Sequence, residues 1–185
     1  EHLPRNRVAI SINIEEGYYA RIKEINVVGN QKFSTATLLN QFDLTKPNYK
    51  SWVTRSDQYD KQKLGKDLEK LRTYYMDRGY LNFKILSTQV SISPDKQDIF
   101  ITVNIHEGDQ FKLDSFQMAG KTEIARDKLE KLIFLKKGEV FSRSKVSDIV
   151  KAMTERLGEE GYAFAKVNPV PELDEKNKLV NLTIF

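Results

Sequence analysis

KLGKDLEKLRTYYMDRGYLNFKILSTQVSISPDKQDIFITVNIHEG, residues 63–108, holds one helix and two strands in a row. Leu64, Leu68, Leu71 and Tyr75 recur at helical spacing and put a single apolar stripe down a helix expected from about Asp57 to Arg78. Gly79 ends it, because a residue without Cβ takes the left-handed cap at no steric cost. Two strand-like runs follow, Phe83–Ser93 and Ile99–Ile105, joined by a turn at Pro94-Asp95-Lys96-Gln97-Asp98. In the second run Ile99, Ile101, Val103 and Ile105 share one face and are expected to lie against the helices.

Upstream, Tyr19–Val28 reads as a strand closing at Gly29-Asn30. Ser34 or Thr35 then caps a short helix through Phe42, with Phe33 and Leu38 placed for a hydrophobic staple. Residues 43–56 are loop-like and carry Tyr49 and the single tryptophan, Trp52; packing of Trp52 back onto its own domain is the favoured reading, and a partner loop is the alternative, because aromatics anchor interfaces. Arg7–Glu16 alternates as a half-buried strand and ends in Glu15-Glu16-Gly17, as the last strand of a preceding unit would.

Downstream the same order returns. Phe111–Met118 is a strand ending at Gly120. Ala125, Leu129, Leu132 and Ile133 stripe a short helix; Val146, Ile149, Val150, Met153 and Leu157 stripe a longer one capped by Ser142 or Ser144. Phe164–Pro171 and Leu179–Ile184 are the closing strand pair. Gly17 to Gly108 and Gly29 to Gly120 are each 91 residues apart, and Gly79 to Gly161 is 82; the difference falls on the Tyr49/Trp52 loop. Counting the 29 residues between Gly79 and Gly108 forward from Gly161 passes Phe185, so the second copy is expected to be truncated within a longer array. The fold class is α+β: two tandem β-α-α-β-β units, each a three-stranded sheet covered by two helices.

Composition narrows the function. Of 185 residues, 39% are hydrophobic and 30% charged, as in an ordinary globular chain. The longest apolar run, Leu132–Leu135, is far short of the roughly 20 residues that span a bilayer as a helix. With no cysteine there is no disulfide or thiolate metal site. The two histidines, His2 and His106, lack metal-ligand spacing, and no Gly-x-Gly exists to cradle a phosphate. No carboxylate pair stands out for catalysis, and no cofactor is expected. The net charge of +4 leaves a basic RNA-binding α+β module as the alternative reading. Against it, Lys61, Lys63, Lys66, Lys70 and Arg72 alternate with acids on the wet side of their helix.

The sharper signal is an edge. A three-stranded open sheet has two, and natural edges are blunted by charge, proline or bulges. Phe164–Pro171 carries Pro169 and Pro171, each without an N–H to offer. Phe83–Ser93 has no proline and one charge, Lys84. Its alternation slips by one residue: Phe83 and Ile85 share one parity, Leu86, Thr88, Val90 and Ile92 the other, as a β-bulge produces. Lys84, Leu86, Ser87, Thr88, Gln89, Val90 and Ser91 are therefore the candidate residues for pairing with an added strand. Proline at Thr88 or Gln89 is the substitution expected to abolish that pairing.

The strand–helix–helix–strand–strand order, Val27-Val28-Gly29-Asn30, Arg78-Gly79-Tyr80 and the Glu107–Phe111 junction resemble polypeptide-transport-associated (POTRA) repeats. Leu3–Val8, Lys61–Leu64, Leu71–Tyr75 and Ser87–Ser91 are similar to the POTRA repeats of a Gram-negative outer-membrane β-barrel assembly protein. The resemblance covers essentially the whole chain. It implies that 1–17 end a second repeat, 18–108 form a third and 109–185 most of a fourth. It also implies a mixed sheet with the third strand central, and an exposed, bulged second strand in the third repeat. The implied setting is the periplasm, within an outer-membrane protein that meets the membrane only through a C-terminal barrel absent here. The implied partners are unfolded outer-membrane proteins, a periplasmic chaperone and assembly-complex lipoproteins, including the β-propeller subunit at the same edge. No nucleic acid is expected.

Overall fold

The computed structural model describes residues 2–3, 7–8, 20–47, 56–120 and 126–185, with side chains from residue 20 onward. β1 (His2–Leu3) and β2 (Arg7–Val8) form a short antiparallel ribbon. The rest of the expected strand Arg7–Glu16, like Tyr19, the Tyr49/Trp52 loop and Ala125, lies outside the described residues.

The first unit comprises β3 (Arg21–Val28), α1 (Thr35–Leu39), α2 (Lys61–Met76), β4 (Lys84–Ile92) and β5 (Asp98–His106). The second comprises β6 (Lys112–Met118), α3 (Arg126–Glu130), α4 (Arg143–Glu159), β7 (Pro169–Asp174) and β8 (Leu179–Ile184). Each sheet is mixed and three-stranded with its last strand central, in the orders β3-β5-β4 and β6-β8-β7. The central strand runs parallel to the first and antiparallel to the second. The 91-residue offset extends to defects: both first strands shift register, between Ile22 and Glu24 and between Leu113 and Ser115. Bridges Arg21–Gln58 and Lys112–Val140 cover the start of each first strand.

Each unit has its own core. Ile99, Ile101, Val103 and Ile105 of β5 are buried with Leu64, Leu71 and Tyr75 of α2, and Leu68 is half-buried beside them. Ile149 and Met153 of α4 meet Val180, Leu182 and Ile184 of β8. Every such aliphatic side chain removed from water contributes about 1.5–3 kcal/mol, which is what holds the helices on one sheet face. Phe33 joins Tyr74, Tyr75 and Tyr80 edge-on, and Tyr75 stacks on Phe83 at 4.3 Å between centroids.

Several boundaries differ from the sequence reading. α2 starts at Lys61, not Asp57, because the Asp57 carbonyl accepts from Ile22 N–H and Gln58 bridges to Arg21. The cap is Asp60, whose carboxylate accepts from the Gln62 and Lys63 amides and is thereby held below its ordinary pKa. Ser34 and Ser142 cap α1 and α4. α1 ends at Leu39 and α3 at Glu130, where the next amides (Gln41, Phe42, Leu132, Ile133) bond three residues back instead of four. The expected strand Phe164–Pro171 is corrected to Pro169–Asp174. Asn168 pairs with Phe185, the ladder runs on to Asp174 opposite Leu179, and Ala165 N–H turns back to Tyr162.

The units meet at the end of α2. The Gly79 carbonyl (φ +86°) accepts from the Phe111 amide at 2.8 Å, and a Cβ on Gly79 would stand 2.7 Å from the Phe111 oxygen. Asp77 accepts from the Ser144 amide (2.8 Å) and hydroxyl (2.6 Å), and the side-chain amide of Gln110 donates to the Arg78 carbonyl. Leu81 of the first unit packs on the second core.

Candidate functional site

β4 is an outer strand, paired on one side only, to β5, among the described residues. Its register runs Ile92–Ile99, Val90–Ile101 and Thr88–Val103, then shifts between Ile85 and Ser87, leaving Leu86 without an opposite residue. Leu86 is therefore the extra residue of a β-bulge. The bulge explains the slipped alternation: Phe83 and Ile85 enter the core before it, and the even-numbered residues take over the helix side after it.

Which groups face outward follows from the turn. Ser93 N–H bonds to the Asp98 carbonyl at 2.9 Å. In an antiparallel ladder, hydrogen-bonded and non-bonded pairs alternate. Ser91, Gln89 and Ser87 thus spend their amides on β5, and Thr88, Val90 and Ile92 point N–H and C=O away from it. The free rim presents three donors and three acceptors. It is bounded by the Leu86 bulge at one end and the Pro94 turn at the other.

The side chains beside this rim are uncharged. Thr88, Val90 and Ile92 lie on the helix side of the sheet, yet Val90 is 38% and Ile92 59% exposed, because the helices cover β3 and β5 and stop short of β4. Leu86 is 64% exposed. On the opposite face Ser87, Gln89 and Ser91 are exposed, with Asn104 donating to the Ser87 hydroxyl at 2.8 Å. Lys84 sits exposed at the strand start, opposite His106. All seven candidate residues thus lie on β4. Ile92, which the sequence reading left out, completes the outward set; its parity was available by counting back from the turn residue Ser93.

Two buried acids also escaped the sequence reading. Glu107 accepts from the Gln31 amide (3.0 Å), the Lys32 amide (3.1 Å) and the Tyr75 hydroxyl (2.8 Å), pinning the β3–α1 loop to the end of β5. Burial, reinforced by that bond, pushes the Tyr75 hydroxyl far above its ordinary pKa; burial also raises Tyr80. Asp67, fully buried, accepts from the Asp43 and Leu44 amides. Both acids tie loops to the core of the first unit. Some of the basic residues are held in ion pairs, Lys70 with Asp43 and Asp67, Arg72 with Glu69 and Arg156 with Glu159 and Glu160 among them. Among the described residues no His/Asp/Glu group could hold a metal ion, and no helix is long and apolar enough to cross a membrane.

Two repeated β-α-α-β-β units with a central third strand define a class, and comparison with known proteins gives the same one. The family model POTRA, described as surface antigen variable number repeat, matches residues 20–108 and again 111–185, and the chain belongs to that family. It is 34% identical over 183 residues to outer membrane protein assembly factor BamA of Neisseria meningitidis serogroup B, covering 98% of this chain and 23% of that one. With BamA of Buchnera aphidicola it shares 32% identity, over 96% of this chain and 29% of the relative. The chain thus spans about a quarter of the length of these curated relatives. The crystal structure of Haemophilus influenzae BamA POTRA3-5 superposes with a TM-score of 0.77 at 29% identity, over 90% of this chain and 65% of that one.

Proposed function

We propose that this chain is a non-enzymatic periplasmic scaffold segment of an outer-membrane protein assembly factor. It binds unfolded outer-membrane proteins and assembly-complex lipoproteins, the β-propeller subunit among them, by adding their extended segments to the β4 edge. In this reading residues 1–17 close a preceding repeat, 18–108 are a third-like repeat and 109–185 a fourth-like one. The relatives' names support the assembly setting, and the likeness to a POTRA3-5 structure supports the repeat numbering. The observation that carries the binding mode is the unpaired rim Thr88–Val90–Ile92. Backbone pairing is largely indifferent to side-chain sequence, which suits a receiver of many clients. The exposed apolar row on one side and the hydroxyl and amide row on the other suit strands that alternate apolar and polar residues, as membrane barrel strands do.

The test is a pair of proline substitutions judged against binding of a peptide copied from one strand of an outer-membrane barrel. Thr88→Pro/Val90→Pro removes two outward donors and spares the β5 ladder, and each lost hydrogen bond is worth about 0.5–1.5 kcal/mol. Binding is expected to weaken by roughly tenfold or more, with the fold kept by circular dichroism. Gln89→Pro instead strikes an inward amide, so it is expected to damage the sheet itself. Unchanged affinity in the folded double variant would refute strand addition at β4.

A further inference from the structure

The second repeat carries the same edge with its donors removed. By register, Thr88, Val90 and Ile92 face Val103, Ile101 and Ile99, while Pro169, Pro171 and Leu173 face Ile184, Leu182 and Val180. These are equivalent positions, 81 residues apart. Asn168 and Phe185 exchange both backbone hydrogen bonds, each at 2.9 Å. Alternation from that pair turns Val170, Glu172 and Asp174 inward and Pro169, Pro171 and Leu173 outward.

Both prolines therefore stand where an N–H would reach past the sheet, and neither costs β7 a bond to β8. At the inward parity a proline would cost a β7–β8 hydrogen bond, so the outward positions are where an edge strand can carry one without loss. Two at outward parity leave one outward donor where β4 has three, and their rings obstruct the approach of another backbone. The edge needs such blunting, for Leu173 is 40% exposed on the same row that carries Ile92 in the first repeat.

We propose that Pro169 and Pro171 are specificity residues that close the second repeat to strand addition and confine added strands to the first. This rests on the reading of β4 as an acceptor. Exchanging the prolines for their first-repeat counterparts, Pro169→Thr/Pro171→Val, should open a second acceptor for an extended polypeptide of alternating apolar and polar residues.

The experiment counts sites by titration calorimetry. The probe is an alternating Val/Thr peptide, N-methylated along one edge so that it cannot self-associate. The whole chain is used in four forms: unaltered, Thr88→Pro/Val90→Pro, Pro169→Thr/Pro171→Val, and all four substitutions together. The expected stoichiometries are one, none, two and one. If the first two forms bind one and none but the folded Pro169→Thr/Pro171→Val form still binds one, the proline assignment is overturned and the β4 reading stands. If the unaltered chain binds none, or Thr88→Pro/Val90→Pro still binds one, the β4 reading fails; the proline assignment is then judged by whether Pro169→Thr/Pro171→Val gains one site over the unaltered chain. Should the double variant not fold, Pro171→Val alone, which restores the middle donor, gives the same comparison at lower affinity.

Discussion

Replacing Glu107 by alanine should cost this chain more than any single surface change, because one carboxylate satisfies three donors from two separate elements. Its oxygens accept from the Gln31 and Lys32 amides and the Tyr75 hydroxyl, and the side chain is buried. A hydrogen bond to a charged group is worth about 1.5–3 kcal/mol, and a stranded buried donor costs about 1–3 kcal/mol. Gln31 and Lys32 are exposed, so water can partly replace the acceptor for their amides. Tyr75 is sealed among aromatics and has no such recourse. The sum for Glu107→Ala is about 3–5 kcal/mol. Glu107→Gln keeps one acceptor oxygen for the amides and can donate its NH2 to the Tyr75 oxygen, so its loss should be only about 1 kcal/mol. Urea unfolding followed by far-UV circular dichroism gives both values. Pairing each change with Tyr75→Phe should show strong non-additivity for alanine, since the two residues share a bond. Equal losses for alanine and glutamine, both under about 1 kcal/mol, would refute the clamp.

Other consequences are as direct. Gly79→Ala places a Cβ 2.7 Å from the Phe111 oxygen and 2.9 Å from Val140, at φ +86°. The left-handed backbone alone costs about 1–2 kcal/mol, and Phe111 must shift. Calorimetry should then resolve two unfolding transitions where coupled repeats give one; an unchanged melt would contradict the joint. Tyr75 and Tyr80 keep their protons in the folded chain at pH values where unfolded tyrosines lose theirs. Stability should therefore be complete below about pH 10 and fall above it, by up to about 1.4 kcal/mol per pH unit from Tyr75, with Tyr80 acting in the same direction. Tyr75→Phe should remove one tyrosine's share of that slope, and an unaltered slope in the variant would count against its burial.

Much of this was readable in the residues. The isoleucine alternation of β5 and the Leu64–Leu71–Tyr75 stripe name the core because burial selects one side of a strand or helix. The parity slip between Ile85 and Leu86 announces the bulge, since an extra residue is the local way to change faces mid-strand. What stayed hidden depends on partners distant in the chain. Asp67 reads as one more solvated helix acid until the Asp43 and Leu44 amides arrive from 24 and 23 residues away. Glu107 is likewise a turn residue until the Gln31–Lys32 loop folds onto it. The end of β7 was misplaced because Pro171 reads as a strand breaker, whereas its nitrogen faces away from β8 and pairing runs on to Asp174. Which amides of β4 face outward required the turn bond between Ser93 and Asp98, and that keeps Thr88 as an informative proline position, adds Val90 and removes Gln89.

Amide hydrogen exchange by NMR, residue by residue along β4 with and without an extended client peptide, bears most directly on the proposed mode of binding. In the free chain the Ser87, Gln89 and Ser91 amides should be protected and those of Thr88, Val90 and Ile92 should exchange quickly. Adding the peptide should slow the latter three selectively. If they are already protected in the free chain, or if the peptide binds and leaves them fast, strand addition at β4 is wrong.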